Sequence, residues 1–325
     1  MTIRSQGNSK ARYNAVWQAT GLDAVNPYVS PAIPGGGGSG ELDWGGNRGV
    51  WGGGTGYSDV MDYVKISVTG DATDFGNLTV ARQGTAGCSN GSRGCFTYGY
   101  DGSNTNVIDY ITIASPGNAT DFGDATVSRR TPGTCSNDTR GVMAGGWASS
   151  ASNVIDYITI ASTGNATDFG DITSARSDIG ANNNATRACF GGGYTNTNII
   201  DYVTISSTGN ATDFGDLTVT RSDLAATSNT SRGIWCGGYE SSYVNTIDYV
   251  TIANTGNATD FGDLTQARRA HGGGVSNGTV AVIGGGNNGS NVTTLDYVYI
   301  ASTGNATDFG ELTQARSGLG ACAGD

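Results

Sequence analysis

The sequence predicts an all-β chain, a six-bladed β-propeller preceded by an extended N-terminal arm and closed into a ring by its C-terminal strand. Three observations predict it. First, the dipeptide Asp-Tyr recurs at Asp62, Asp109, Asp156, Asp201, Asp248 and Asp296, with spacings of 47, 47, 45, 47 and 48 residues. Second, each copy is followed at a fixed distance by Asp-Phe-Gly, beginning at Asp74, Asp121, Asp168, Asp213, Asp260 and Asp308. An arginine then closes each segment, at Arg82, Arg129, Arg176, Arg221, Arg268 and Arg316. A period of this length without helical spacing is the mark of propeller blades, each a four-stranded sheet. Third, Gly supplies 54 of 325 residues and charged residues only 14%. That balance suits short strands joined by tight turns and fits neither a helical nor a disordered chain.

Taken in order, the elements begin with an arm, Met1 to Pro34, whose apolar residues (Tyr13, Val16, Trp17, Leu22, Val25, Tyr28, Val29 and Ile33) can dock but are too few to fold alone. Pro27, Pro31 and Pro34 favour an extended path over a helix. The arm reads either as a passive tail or as an anchor that orders on a partner, with Tyr13, Trp17 and Tyr28 as its contacts. Gly35 to Gly40 open a linker over residues 35–46, and flexible composition of this kind uncouples the arm from the rest of the chain. The ring occupies residues 47–325.

Within the third unit, Arg140 to Ala144 reads as a strand ending at Gly145-Gly146, and Asn153 to Ala161 as the next. Ser162 to Asn165 form a turn, and the outer strand is expected to begin over Asp171 to Arg176. Asp178 to Asn182 then starts the innermost strand of the next blade, where crowding at the axis favours small residues. Val154, Ile155, Tyr157, Ile158 and Ile160 lack clean alternation because both faces of a blade are covered. The first unit begins at Asn47-Arg48 and lacks an inner strand, while Ser317 to Asp325 matches one without a blade of its own. Joining them head to tail closes the ring and removes an exposed sheet edge.

The order of an apolar strand ending in double glycine, a variable loop, an Asn-apolar-apolar-Asp-Tyr strand, an aromatic residue and an apolar-Thr-x-Ala-Arg segment resembles the kelch repeat throughout residues 47–325. Two departures stand: Phe replaces the usual Trp, and the stretch from Tyr to that aromatic is longer. The resemblance implies the architecture more than any kelch function.

Bulk properties narrow the partners. A formal net charge of -11 opposes binding to a phosphate backbone, so no nucleic acid is expected. No apolar run approaches the length of a membrane span, and Met1 to Thr20 lack a signal-peptide core, so neither membrane insertion nor secretion by the common route is expected. The six cysteines fall at strand positions occupied by Val, Ile, Gly or Thr in sister repeats, which points to buried free thiols. Cys88 and Cys95 lie on adjacent strands and are the one candidate pair for a bridge.

The near-invariant Ser-Thr-Gly-Asn-Ala-Thr-Asp-Phe-Gly-Asp segment and the variable loop after the double glycine belong on opposite faces of a propeller. The variable face carries Tyr57, Tyr100, Trp147, Tyr194, Tyr239 and Tyr243 among Ser, Asn and Gly, a mixture suited to recognition; neutral drift of surface loops is the alternative. Asn165, Thr167, Asp168 and Asp171 offer oxygens of the kind calcium takes, but the same residues cap backbone donors in turns. Asn-Ala-Thr at Asn118, Asn165, Asn210, Asn257 and Asn305 is likewise read as turn chemistry rather than as a glycosylation acceptor. The repeated arginine is expected to pair with an Asp of its own or the next blade. His271 is the only histidine, placed on an inner strand by this reading. Histidine-rich metal centres and a Ser-His-Asp triad therefore lack their parts, no cofactor or metal is expected, and no catalytic residue is assigned.

High repeat identity, the arm and a Gly, Ser, Thr and Asn-rich surface resemble repeat-containing virion structural proteins of tailed bacteriophages, including fibre and tail-associated proteins. That resemblance implies a non-enzymatic virion component, assembled in the host cytoplasm. Its arm would attach to other virion proteins, and its propeller would display a face for a host surface glycan or receptor. Two rivals remain: a cellular carbohydrate-binding or scaffold propeller, and a glycan-cleaving, sialidase-like enzyme. The second is suggested by Asp121-Phe122-Gly123, which faintly resembles the Asp-x-Gly turn of sialidase propellers. Paired carboxylates are abundant but unassignable.

Overall fold

The structure, a computed structural model, describes residues 46–324 apart from residue 196. The arm and its contacts Tyr13, Trp17 and Tyr28, and nearly all of the linker, lie outside the described residues. Among those described there is no helix; twenty-four strands form six four-stranded antiparallel sheets.

The first blade holds β1 Arg48–Gly52, β2 Val60–Lys65 and β3 Thr73–Asn77. The second holds β4 Ala86–Ser89, β5 Arg93–Tyr100, β6 Asn104–Thr112 and β7 Thr120–Asp124. The third holds β8 Gly133–Ser136, β9 Arg140–Ala144, β10 Val154–Thr159 and β11 Thr167–Asp171. The fourth holds β12 Gly180–Asn183, β13 Arg187–Gly191, β14 Ile199–Thr204 and β15 Thr212–Asp216. The fifth holds β16 Ala225–Ser228, β17 Arg232–Tyr239, β18 Tyr243–Thr251 and β19 Thr259–Asp263. The sixth holds β20 Gly274–Ser276, β21 Val280–Gly284, β22 Thr294–Tyr299 and β23 Thr307–Glu311. The last strand, β24 Gly320–Gly324, joins the first blade in the order β24-β1-β2-β3. Its register on β1 runs from Arg48↔Gly324 to Gly52↔Gly320, so the predicted clasp is present.

Each innermost strand is short and small because six of them converge on one axis. Gly87 shows how tightly: a Cβ there would lie 2.3 Å from the Ala321 carbonyl oxygen of the neighbouring inner strand. Apolar burial is organised between blades. One cluster joins Val142, Ile155, Phe169 and Ile172 of the third blade to Ile179, Phe190, Val203 and Ile205 of the fourth, and the same pairing repeats around the ring.

The outer strand is not where the sequence placed it. It is the Asp-Phe-Gly segment itself, Thr167–Asp171 in the third blade, and not the stretch from Asp171 to Arg176. Asp121-Phe122-Gly123 likewise lies inside β7 and is not a turn between strands. The register shifts between Ile155 and Asp156, so Phe169 is left without a partner on β10. Such a bulge turns its side chain toward the core, and Phe169 is 2% exposed. Gly170 takes a φ of 146°, and a Cβ on it would sit 2.5 Å from the Gly209 carbonyl oxygen of the next blade. Only glycine suits both demands.

The repeated arginines pair with the next blade. Arg82 meets Asp109 at 2.8 Å, Arg129 Asp156 at 2.9 Å, Arg176 Asp201 at 2.7 Å, Arg221 Asp248 at 3.0 Å and Arg268 Asp296 at 2.7 Å. Arg316 of the last unit closes on Asp62 of the first. All twelve side chains are essentially inaccessible. Burial lowers the pKa of Arg82, Arg176 and Arg221, and the facing carboxylates oppose that shift.

Candidate functional site

In an antiparallel four-stranded blade, the connection between its second and third strands emerges on the same face as the connection from its fourth strand to the next blade. The first set holds the variable loops; the second holds the residues just after each conserved arginine. The near-invariant segments lie on the other face, and their role is visible there. In the third blade Gly164 N–H donates to the Phe122 carbonyl and Ala166 N–H to the Asp124 carbonyl, each at 2.8 Å, so this turn pairs with the outer strand of the second blade. Asn165 Oδ1 accepts the Asp124 N–H at 3.0 Å. Equivalent bonds to Asn118, Asn210, Asn257, Asn305 and, across the closure, Asp71 complete a belt. Backbone capping was expected of these residues, but the donor belongs to the preceding blade. Among the described residues no group of three or more His, Cys, Asp or Glu converges in a way that would hold a metal ion.

The six aromatic residues singled out from the sequence form three pairs on the variable face. Tyr57 and Tyr100 bridge the first and second blades at 6.0 Å between ring centroids, and Trp147 and Tyr194 bridge the third and fourth at 6.0 Å. Tyr239 and Tyr243 face each other at 5.5 Å within the fifth. Three of the six, Tyr100, Tyr239 and Tyr243, sit at strand ends rather than in loops, because the second and fifth blades continue their strands into tight hairpins. Arginines cover two rings: Arg130 lies 5.0 Å from Tyr100 and Arg269 4.0 Å from Tyr239. Tyr57 and Tyr194 remain the most open, at 46% and 53% exposed.

Inside this rim, at the mouth of the axis, lies a cavity of about 350 Å³. Its wall includes Thr131, Arg130, Asp223, Arg269, His271 and Tyr243. Asp223 faces Arg269 at 3.4 Å. Burial raises the Asp223 pKa, the charge of Asp178 adds to the rise, and His271 and Arg269 oppose it. Tyr243 donates its hydroxyl to Asn287 Oδ1 at 3.0 Å. His271 is 5% exposed, and neither imidazole nitrogen has a hydrogen-bond partner among the described residues; Thr131 Oγ1 is also buried without one. His271 does not lie on an inner strand as the sequence suggested, because the turn preceding β20 holds it at the mouth.

The sequence matches no family model and no curated protein. The site must therefore be read from its own chemistry.

Of the expected site residues, the structure gathers all six aromatics on one face and brings only Tyr243 into the cavity wall. Arg130, Asp223, Arg269 and His271 were missed as site residues. A signal for them was present: the residue after the conserved arginine is Gln83, Ser177, Ser222 or Ser317 in four units but arginine at Arg130 and Arg269. The cysteines are all free and buried, as expected. Burial pushes the Cys189 and Cys236 thiols up to about 12, far from the thiolate character that reactivity needs.

Proposed function

We propose that this chain is a non-enzymatic recognition protein, a virion structural or adhesion component of a tailed bacteriophage. Residues 1–34 anchor it to other virion proteins, and the propeller presents its variable face to a host surface glycan or receptor. The observation that carries the reading is the set of rim aromatics. Tyr57 and Tyr194 stand 46% and 53% exposed, on a ring whose blades are tied to one another by buried ion pairs. Exposed aromatic rings on a fixed scaffold give large contact area at little conformational cost.

The test is a glycan array probed with the full-length chain, together with chromatography for released sugar. Binding that falls at least about tenfold in a Tyr57→Ala/Tyr194→Ala variant, about 1.4 kcal/mol or more, supports the reading; steady sugar release overturns the non-enzymatic assignment. Mass spectrometry of purified particles addresses location, and absence of the chain from them favours a cellular glycan-binding propeller. A chain starting at residue 41 is expected to fold and to fail at incorporation. Equal incorporation removes the arm as anchor.

A further inference from the structure

Apart from the variable loops, the six units differ most at the mouth of the axis. There the residue two positions after each conserved arginine builds a chain of backbone hydrogen bonds around the opening. Gly84 N–H donates to Gly318 O at 2.9 Å, Thr131 to Gly84 at 2.8 Å, Asp178 to Thr131 at 3.0 Å, Asp223 to Asp178 at 2.9 Å and Ala270 to Asp223 at 2.8 Å. Five of these residues hold left-handed φ angles: Gly84 66°, Thr131 52°, Asp178 57°, Asp223 59° and Gly318 65°. Non-glycine residues keep such a conformation only when the surroundings enforce it. Here the bond chain does so.

The sixth unit departs. Twelve residues separate Arg268 from Val280, where eleven separate Arg221 from Arg232 and the equivalent pairs elsewhere. With the extra residue, Ala270 O accepts the Gly273 N–H at 3.1 Å. The left-handed residue becomes Gly272, where a Cβ would lie 1.9 Å from the Leu319 carbonyl oxygen. This turn carries His271 to the mouth. One insertion thus converts a near-symmetric opening into a wall with a single distinctive side.

We propose that the axial mouth, bounded by His271, Arg269 and Asp223 on that side and by Thr131 and Arg130 across the cavity, binds a monosaccharide unit bearing one carboxylate. The inference rests on the reading of this face as a recognition surface and names the ligand class. A cavity of about 350 Å³ falls at the low end of the roughly 300–1,000 Å³ common for small-molecule sites, which suits one sugar ring better than a chain. A hydroxyl-rich ligand, whose hydroxyls both donate and accept, can satisfy both imidazole nitrogens and the Thr131 hydroxyl as well. Those groups are buried without partners among the described residues, and buried polar groups are ordinarily satisfied.

The charge comes from the two arginines. Arg269 is already paired with Asp223. Among the described residues, Arg130 donates its side chain to Asn104 Oδ1, at 3.1 Å, and stacks on Tyr100, so the rest of its guanidinium is open to a planar carboxylate. Asp223, with Asp178 beside it in the same ring of backbone bonds, disfavours a doubly charged phosphate. One negative charge fits; two do not.

The experiment is isothermal titration calorimetry of the full-length chain with glucuronate and galacturonate. Glucose, galactose, the methyl esters of both acids and glucose 6-phosphate serve as comparison ligands. At least one free acid is expected to bind at least about tenfold more tightly than its own ester and than glucose 6-phosphate, a difference of about 1.4 kcal/mol. Arg130→Met, which keeps the aliphatic stem, and His271→Leu are each expected to weaken that binding by a similar factor with the melting temperature of Arg130→Met unchanged. The proposal is overturned by equal binding of acid and ester, by tighter binding of the phosphate, by an unchanged Arg130→Met titration, or by no heat from either acid at millimolar concentration. The ester comparison needs no variant, so it decides the matter even if His271→Leu misfolds. A glycan-array signal lost in Tyr57→Ala/Tyr194→Ala but kept in Arg130→Met removes the axial site and leaves the recognition reading standing.

Discussion

Removing both partners of a buried inter-blade ion pair should destabilise the ring far less than the sum of the two single removals. The Arg176–Asp201 pair shows why. The two side chains meet at 2.7 Å with 1% and 0% exposure. Arg176 also donates to the Phe190 carbonyl at 3.0 Å and the Ile199 carbonyl at 3.3 Å, while its Nε has no partner among the described residues. In Asp201→Leu the guanidinium stays buried without its counter-charge, a loss of about 3–5 kcal/mol. Arg176→Met strands the carboxylate and should cost a similar amount. The double change Arg176→Met/Asp201→Leu removes both charges; it takes the Arg176 donor from the Phe190 and Ile199 carbonyls and the Asp201 acceptor from the Thr173 hydroxyl and N–H, which now bond it at 2.5 and 3.3 Å. Leaving such groups unsatisfied costs about 1–3 kcal/mol. Urea unfolding at neutral pH, followed by tryptophan fluorescence and circular dichroism, measures all three. The coupling between the two sites should exceed about 3 kcal/mol, well beyond the roughly 0.5 kcal/mol scatter of independent sites. Single variants each costing under about 1 kcal/mol, the ordinary value of a surface pair, would refute the reasoning, as would strict additivity.

Truncation of residues 317–325 should lower the melting temperature of the whole ring. It removes β24 from β1, together with buried Leu319, and leaves a sheet edge exposed; an unchanged melting curve would sink the clasp. Mass spectrometry of unreduced protein after alkylation in denaturant should count six modified cysteines, since all six are free and buried, and a count of four would reveal a bridge. Asp223→Asn should raise stability at neutral pH. A carboxyl whose folded pKa is raised above its ordinary 3.8 stabilises below the unfolded value and loses that contribution as pH rises through the folded one. The gain over wild type should therefore vanish in melts taken below about pH 3.8.

The architecture was legible because six near-copies state the same blade six times, so strand order, the missing inner strand of the first unit and its replacement after Arg316 followed from alignment of the chain with itself. The outer strand was misplaced because Asp, Gly and Asn carry turn propensity. In Thr167–Asp171 that propensity is overridden by the bulge at Phe169 and by the next blade's turn closing on Gly170. The rim aromatics were legible as Tyr and Trp at or beside the variable loops, of which Tyr57 and Tyr194 are exposed. The axial site was not, since Arg130, Asp223 and His271 are distant in sequence and meet only because every blade contributes its inter-blade connection to one opening. The clues were the arginines that directly follow Arg129 and Arg268 and the 48-residue interval between Asp248 and Asp296, and the meaning of both depends on where the axis runs.

The way the ring closes also sets how it would bear tension. β1 enters the sheet between β24 and β2, paired in register over five residues on each side. Under a pull applied along β1 from its N-terminal end, the strand can leave only by sliding against both neighbours at once. Peeling, which opens an edge strand one bond at a time, is not available to it. Closing the ring with the opposite end of the chain thus makes the first strand a joint that resists such a pull in shear.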